Sequence, residues 1–349
     1  MTKNNTLLPI RWGLNEWVGA MGDLGTFLPL FIALVALNGL PPVQSLICIG
    51  VVYIVSSLYF RIPTPVQPLK AMAAIAIAQG LAMSLLSAGG ILMGCILLVL
   101  ALTGSIEWLM RFFTRPIVKG IQLGVGLMLV KTGIVLLATT GHPESAADNG
   151  LMLTFPEWSN FLPALLLLVL PQLPLTLGNA VFAVSDVGRD YFGAHARRAT
   201  PRKLATSLGL ANLFIGAVGG LPVCHGSGGL TAHYRFGART AGASLIMGVT
   251  CILLAVTFPK GFLDILRYIP PWLLGVMVIY VGICHILLLK ALRARQALAL
   301  LMGLMGLATS NLAYPLAFGL VVELLISRYQ RNRSDLRRLQ VGLEHLPPG

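Results

Sequence analysis

Between two long apolar runs the chain inserts Leu221-Pro-Val-Cys-His-Gly-Ser-Gly-Gly-Leu-Thr-Ala-His-Tyr-Arg-Phe-Gly-Ala-Arg239. In hydrocarbon every backbone polar group must find a partner within the protein. A polar, glycine-rich stretch at that depth is therefore tolerated only where it is buried in protein or lines a cavity. Pro222 followed by Gly226, Gly228 and Gly229 interrupts an incoming helix, and the chain can restart one from about Leu230. A helix that begins in mid-membrane points its first unpaired N–H groups at the cavity, an arrangement that suits an anion.

A second stretch has the same layout. In Arg61-Ile-Pro-Thr-Pro-Val-Gln-Pro-Leu-Lys-Ala-Met-Ala-Ala74 a break is followed by a helix start and then by small residues. Pro65-Val66-Gln67-Pro68 aligns with Pro222-Val223-Cys224-His225, and upstream Gly22-Asp23 falls opposite Gly178-Asn179 with one residue of slack. Two weakly similar halves with interrupted segments in matching places point to a transporter built on repeats.

Composition supports this class. Hydrophobic residues make up 56% of the chain and charged residues 11%, against about 25% charged in a soluble domain. The mean hydropathy is +0.82. The net charge of +13 is accounted for by basic loops on the cytoplasmic side, so nucleic acid is not an expected partner. The five cysteines form no CxxC pair and read as free thiols, with no metal site and no cofactor implied. Met1 to Arg11 is short and polar and does not read as a cleavable signal.

The apolar pattern gives twelve segments, at about 12–37, 42–60, 65–81, 88–110, 117–138, 160–185, 204–220, 222–238, 241–259, 269–289, 296–309 and 312–327. The third and eighth are the interrupted ones. The last two are short and read as a shallow hairpin. With the N-terminus inside, alternate loops collect Arg61, Arg111, Arg115, Lys119, Arg189, Arg197, Arg198, Arg202, Lys203, Arg235, Arg239 and Lys290, while the outer loops hold only Lys260 and Arg267. Both termini are thereby expected in the cytoplasm. The domain plan is 1–138 as the first transmembrane repeat, 139–159 as an extracytoplasmic acidic loop, 160–327 as the second repeat and 328–349 as a basic cytoplasmic tail. The two repeats run in opposite senses, so the two half-helices meet near the midplane.

The expected substrate site is Gln67, Leu69, Lys70 and Ala71 on one side and His225, Gly226, Ser227, Gly228 and Gly229 on the other. Backbone N–H groups from both helix starts would grip an oxyanion, with Gln67, Ser227 and His225 adding side-chain donors. Lys70 would raise anion affinity, its structural alternative being a pair with Asp23 or Glu16. Asp23 and, nearer the cytoplasmic face, Glu16 are the candidates for a coupling proton. Asn179 and Cys224 are supporting candidates behind the site. Lys131 reads as snorkelling to an interface. Asp186 falls at the cytoplasmic end of its segment, and His285 and Glu323 read as structural. No catalytic residue is assigned: one serine, Ser227, with a distant histidine is poor support for an intramembrane hydrolase.

Several of these stretches resemble the molybdate transporter family of the sulfate-permease superfamily. They are Pro65-Val-Gln-Pro-Leu-Lys-Ala71, Leu221-Pro-Val-Cys-His-Gly-Ser-Gly-Gly-Leu230, Tyr234-Arg-Phe-Gly-Ala-Arg239, Gly19-Ala-Met-Gly-Asp-Leu-Gly25 and Gly178-Asn-Ala180. The resemblance spans most of Asn15 to Gly242. It implies an all-α, seven-plus-seven inverted-repeat fold with a core domain and a gate domain, and a substrate site carried onto Gln67, Lys70, His225, Ser227 and Gly228. Two departures stand out. The first half is shortened by two helices, and the stretch after Ile326 reads as a short basic tail held near anionic lipid.

The reading is thus a secondary active importer of an oxyanion, most of all molybdate, coupled to protons and set in an inner or plasma membrane. Its partners are a tetrahedral oxyanion and the lipid bilayer, and a homodimer is compatible with it. The alternatives are a broader sulfate or oxyanion carrier, an exchanger or channel, and more distantly a serine hydrolase using Ser227.

Overall fold

A computed structural model describes residues 8–139, 155–259, 268–292 and 295–344. Each of the twelve apolar segments carries helix. In chain order the elements are α1 (Leu14–Met21), α2 (Leu24–Asn38), α3 (Pro42–Phe60), β1 (Gln67–Pro68), α4 (Lys70–Gln79), α5 (Met83–Thr103), α6 (Ile106–Met110) and α7 (Arg115–Ala138). They continue as α8 (Trp158–Ala196), β2 (Val223–Cys224) and six further helices. Those are α9 (Pro201–Val218), which precedes β2, then α10 (Ser227–Arg235), α11 (Gly242–Thr257), α12 (Pro271–Leu287), α13 (Gln296–Thr309) and α14 (Ala313–Glu344).

Proline starts several of these helices. Pro42, Pro116, Pro201 and Pro271 sit in first turns, where their missing N–H costs nothing. Five described helices are long and apolar enough to cross a membrane, or six if the α1–α2 pair, bent by 45°, is one span. The bend falls at Gly22-Asp23, between Met21 and Leu24.

The two interrupted segments meet. β1 and β2 pair antiparallel, with Gln67 opposite Cys224 and Pro68 opposite Val223. Each half-helix starts three residues after that central pair, α4 at Lys70 and α10 at Ser227, so the two run apart in opposite directions from one crossing. The packing follows the same two-fold pattern: α5 lies on α9 and α3 on α11, while α7 and α12, the last matched pair, pack on each other. The α7–α12 approach is close. A Cβ at Gly126 would lie 2.7 Å from the Gly282 carbonyl oxygen, and one at Gly133 equally close to that of Gly275. Small residues at such crossings let helices associate in lipid, where no hydrophobic effect drives them together. α13 and α14, the last two helices, follow the matched set. Among the described residues no helix between α7 and α8 corresponds to them.

Part of the broken backbone is satisfied by the protein itself. The Leu69 N–H donates to the Pro222 carbonyl at 3.0 Å. The Asn212 side chain both accepts from the Val223 N–H and donates to its carbonyl, each at 2.8 Å, and so replaces a further strand.

Three boundaries differ from the sequence expectation. The second half-helix begins at Ser227 rather than near Leu230, so Ser227, Gly228 and Gly229 form its first turn. α8 runs to Ala196, well past 185, and contains two π-helical stretches, Leu165–Val169 and Thr176–Phe182. Pro171 and Pro174 lie between or beside them and lack the N–H that regular α-helix pairing needs. The last helix continues through 327/328 to Glu344, so the basic stretch from Arg328 is helical over most of its length. Lys260 and Arg267, which entered the topology argument, and most of the expected external loop, 140–154, lie outside the described residues.

Candidate functional site

A cavity of about 110 Å³ lies at the start of both half-helices, well above the roughly 10–15 Å³ that one water needs. Lys70 lines it from α4, and Cys224, Ser227 and Gly228 from β2 and α10. Gln122 of α7, Gln172, Leu175 and Asn179 of α8, and His285 and Leu288 at the end of α12 complete it.

The two helix starts are not equivalent. On the α4 side the Ala71 and Met72 N–H groups donate to Gln172 Oε1 at 2.8 and 3.2 Å, and Gln172 is held in turn by Thr176 at 3.0 Å. The Leu69 N–H is taken by Pro222. On the α10 side the Leu230 N–H bonds to Gly226, whereas among the described residues no acceptor takes the N–H groups of Ser227, Gly228 and Gly229. A Cβ at Gly228 would meet nothing within 4 Å. The free positive end of a helix therefore faces open space.

Lys70 supplies the formal charge. Among the described residues it has no carboxylate within ion-pair distance and no hydrogen-bond acceptor. The pair with Asp23 or Glu16 does not form, because both carboxylates are engaged elsewhere. Asp23, fully buried, accepts from Tyr53 Oη and Gln67 Nε2 and faces His233. Glu16, also buried, accepts from the N–H groups of Arg239, Thr240 and Ala243 at 2.9–3.0 Å and so anchors the start of α11. An anion in this cavity would give the half-buried Lys70 ammonium the counter-charge that it lacks among the described residues.

Of the residues expected at the site, Lys70, Ser227 and Gly228 line the cavity, and Gly229 sits in the same first turn. Asn179 and Cys224, expected behind it, line it directly. His225 does not reach it. Its Nδ1–H donates to the Pro65 carbonyl at 2.9 Å, its Nε2 meets Ser207 Oγ at 3.0 Å, and Phe60 packs edge-on against its ring. It is a fully buried clamp between the two broken segments. Gln67 likewise turns to Asp23, and Leu69 and Ala71 spend their N–H groups on protein acceptors. His285, expected to be structural, does line the cavity, with Nδ1 held by the Val281 carbonyl at 2.8 Å. Gln122 and Gln172 were missed. The signal for both is a lone amide in an otherwise apolar run.

Ser227 Oγ donates to Asn179 Oδ1 at 2.6 Å. His225 and His233 are both held by other groups, so among the described residues no histidine is hydrogen-bonded to Ser227, the serine on which the hydrolase alternative relied. Glu323 pairs with Arg295, as a structural role requires. Lys131 is exposed on α7.

A wider vestibule of about 560 Å³ adjoins the cavity and shares Gln122, Asn179, Ser227 and Leu288 with it. Arg115, Lys119 and Asp186 add charge to its wall. These belong to the loop ends expected on the cytoplasmic side. Arg198 and Arg202, which also belong there, reach the Tyr59 and Leu102 carbonyls at the ends of α3 and α5, at 2.8 and 3.4 Å.

Comparison with known proteins agrees with this architecture. The family described as "Molybdate transporter of MFS superfamily" matches residues 15–129 and 164–284. Molybdate transporter 2 of Arabidopsis thaliana is 26% identical over 89% of this chain and 87% of its own length. Molybdate transporter 1 of Chlamydomonas reinhardtii is 25% identical over 93% of each. Among solved structures, the transmembrane domain of a cyanobacterial bicarbonate transporter, BicA, superposes with a TM-score of 0.59 at 15% identity, over 91% of this chain and 98% of that one. The murine Slc26a9 anion transporter in its inward-facing state gives 0.65 at 13% identity, over 93% and 70%. The fold is that of these inverted-repeat transporters, and the chain is a multi-pass membrane transporter that belongs to the molybdate transporter family.

Proposed function

We propose that this protein imports molybdate across an inner or plasma membrane as a proton-coupled secondary transporter. The anion sits in the cavity between the half-helices. Lys70 supplies the counter-charge, the N–H groups of Ser227, Gly228 and Gly229 bind its oxygens, and Asn179, Gln122 and His285 complete the wall. The observation that carries this reading is Lys70, a cation without a partner among the described residues, facing a helix start without acceptors among them. Tetrahedral oxyanions match such a set of donors, and the family's relatives are named for molybdate. The vestibule opens on the face rich in Arg and Lys, which supports a cytoplasmic location for that face and an inward-open conformation. In this reading both termini are cytoplasmic, residues 1–138 and 160–327 form the two repeats, and 139–159 is the external loop between them.

The test is uptake of labelled molybdate into proteoliposomes, with and without an inward proton gradient and with tungstate or sulfate as competitors. Saturable, gradient-stimulated uptake blocked by tungstate and hardly by sulfate is expected. Equal inhibition by sulfate would widen the substrate to oxyanions generally. Uptake that never exceeds the equilibrium distribution would make the protein a channel, and stimulation by internal anion instead of protons would make it an exchanger.

A further inference from the structure

Beside the anion cavity lies a buried cluster that the binding of the anion does not use. Asp23 at the α1–α2 break and His233 of α10 are both fully buried. His233 Nδ1 lies 2.8 Å from the Gly19 carbonyl oxygen. A carbonyl can only accept, so the proton of the neutral ring is on Nδ1 and the lone pair is on Nε2. That Nε2 has no hydrogen-bond partner among the described residues, and Asp23 Oδ2 stands 3.8 Å from it. Two acceptors thus face each other, sealed from water. One more proton turns the repulsive pair into an ion pair.

We infer that the coupling proton is bound at His233 Nε2, with Asp23 as its counter-ion. The surroundings fit a cation at this ring and an anion at that carboxylate. His233 lies in the last turn of α10, where the helix dipole favours positive charge, and Asp23 immediately precedes α2, where it favours negative charge. Tyr53 of α3 donates to Asp23 Oδ2 and Gln67 of β1 to Oδ1. Cys251 of α11 and Cys224 of β2 also lie in electrostatic reach of Asp23, and Lys70 of α4 lies in reach of the same Cys224. Among the described residues no cation other than His233 stands within ion-pair distance of Asp23, so the direct counter-charge to this carboxylate is supplied by protonation of His233.

The cluster touches the substrate site through α10. A Cβ at Gly229 would lie 2.7 Å from Asp23 Oδ1, so this carboxylate presses on the same first turn whose N–H groups face the cavity. An anion there and an unneutralised Asp23 compete for one helix start. Protonation of His233 removes the competition, so proton and anion each raise the other's affinity. The step is a transfer of H⁺ alone: an N–H bond forms at Nε2 when the proton binds and breaks when it leaves with the anion. The inference rests on the anion-site reading above.

The experiment is equilibrium binding of molybdate to the purified full-length protein in lipid nanodiscs, between about pH 6 and 8, for wild type, His233→Gln and His285→Gln. The wild-type Kd should rise with pH, by up to about tenfold per unit, the limit for one linked proton. His233→Gln, whose amide can donate to Asp23 at every pH, should still bind molybdate but with a flat pH profile. His285→Gln, altered in the cavity wall, should bind more weakly and keep the slope. A slope that persists in His233→Gln, or disappears only in His285→Gln, overturns the inference. A wild-type protein that binds molybdate with no pH dependence overturns it too, while leaving the anion site standing. Absence of molybdate binding by folded wild-type protein at every pH would overturn both.

Discussion

Lys70 and Ser227 hold the same position in their two half-helices, yet one brings an ammonium and the other a hydroxyl. The site is therefore asymmetric: charge from one half, free backbone donors from the other. Replacing Lys70 by Met should raise the molybdate Kd at least about tenfold, from the loss of a charged hydrogen bond worth roughly 1.5–3 kcal/mol. Thermal unfolding of the empty protein should not be lowered, because the substitution removes a cation that has no partner. The two neighbouring glycines should separate in the same way. Gly228→Ala meets open space and should weaken binding at unchanged melting temperature. Gly229→Ala would press a methyl against Pro65 Cβ at 2.6 Å as well as Asp23, and should lower the melting temperature or prevent folding. At this scale the sequence was only partly legible. Lys70, Ser227 and Gly228 were readable because they are polar or glycine residues at the Pro- and Gly-marked breaks of otherwise apolar segments. His225 and Gln67 precede the helices, and nothing in the order of residues says which way a non-helical side chain turns. Gln122 and His285 come from distant apolar helices and carry no motif.

The elements depend on caps drawn from elsewhere in the chain. Gln172 closes the start of α4, and Glu16 closes the start of α11 with three N–H bonds. Glu16→Ala leaves three amides, two of them buried, without their charged acceptor and should cost about 2–4 kcal/mol of stability, read as a lower melting temperature in detergent. Molybdate affinity at fixed pH should hardly change, since Glu16 lines a separate surface pocket with Arg11 and Arg239. A carboxylate in an apolar segment is equally compatible with proton transfer and with capping, so only the positions of the Arg239 to Ala243 amides distinguish the two. The half-helices themselves were legible, since Pro and Gly interrupt both segments at matched places. The extension of α8 to Ala196 was not: Ser-Asp-Val-Gly-Arg-Asp reads as a loop, and α10 packing against that segment keeps it helical.

For the whole molecule, the order of segments and the pairing of breaks followed from hydropathy and from the repeat. The antiparallel β1–β2 pair sends the half-helices in opposite directions, as inverted repeats require, whereas halves related by an axis along the membrane normal would send both the same way. The vestibule adds a conformational statement. Cysteine placed at Lys119 should react with a membrane-impermeant maleimide from the cytoplasmic side of sealed vesicles, and excess molybdate or tungstate should slow labelling at Ser227→Cys more than at Lys119→Cys. Labelling of Lys119→Cys from outside alone would reverse the assigned orientation.

The central claim is that an oxyanion binds between the starts of α4 and α10. Its most direct test is a cryo-EM or crystal structure with tungstate, whose scattering distinguishes it from water. The account predicts one strong peak in the ≈110 Å³ cavity, within hydrogen-bond reach of Lys70 Nζ and the Gly228 and Gly229 amides, and its loss in Lys70→Met. A peak elsewhere in the molecule, with this cavity holding only water, would contradict it.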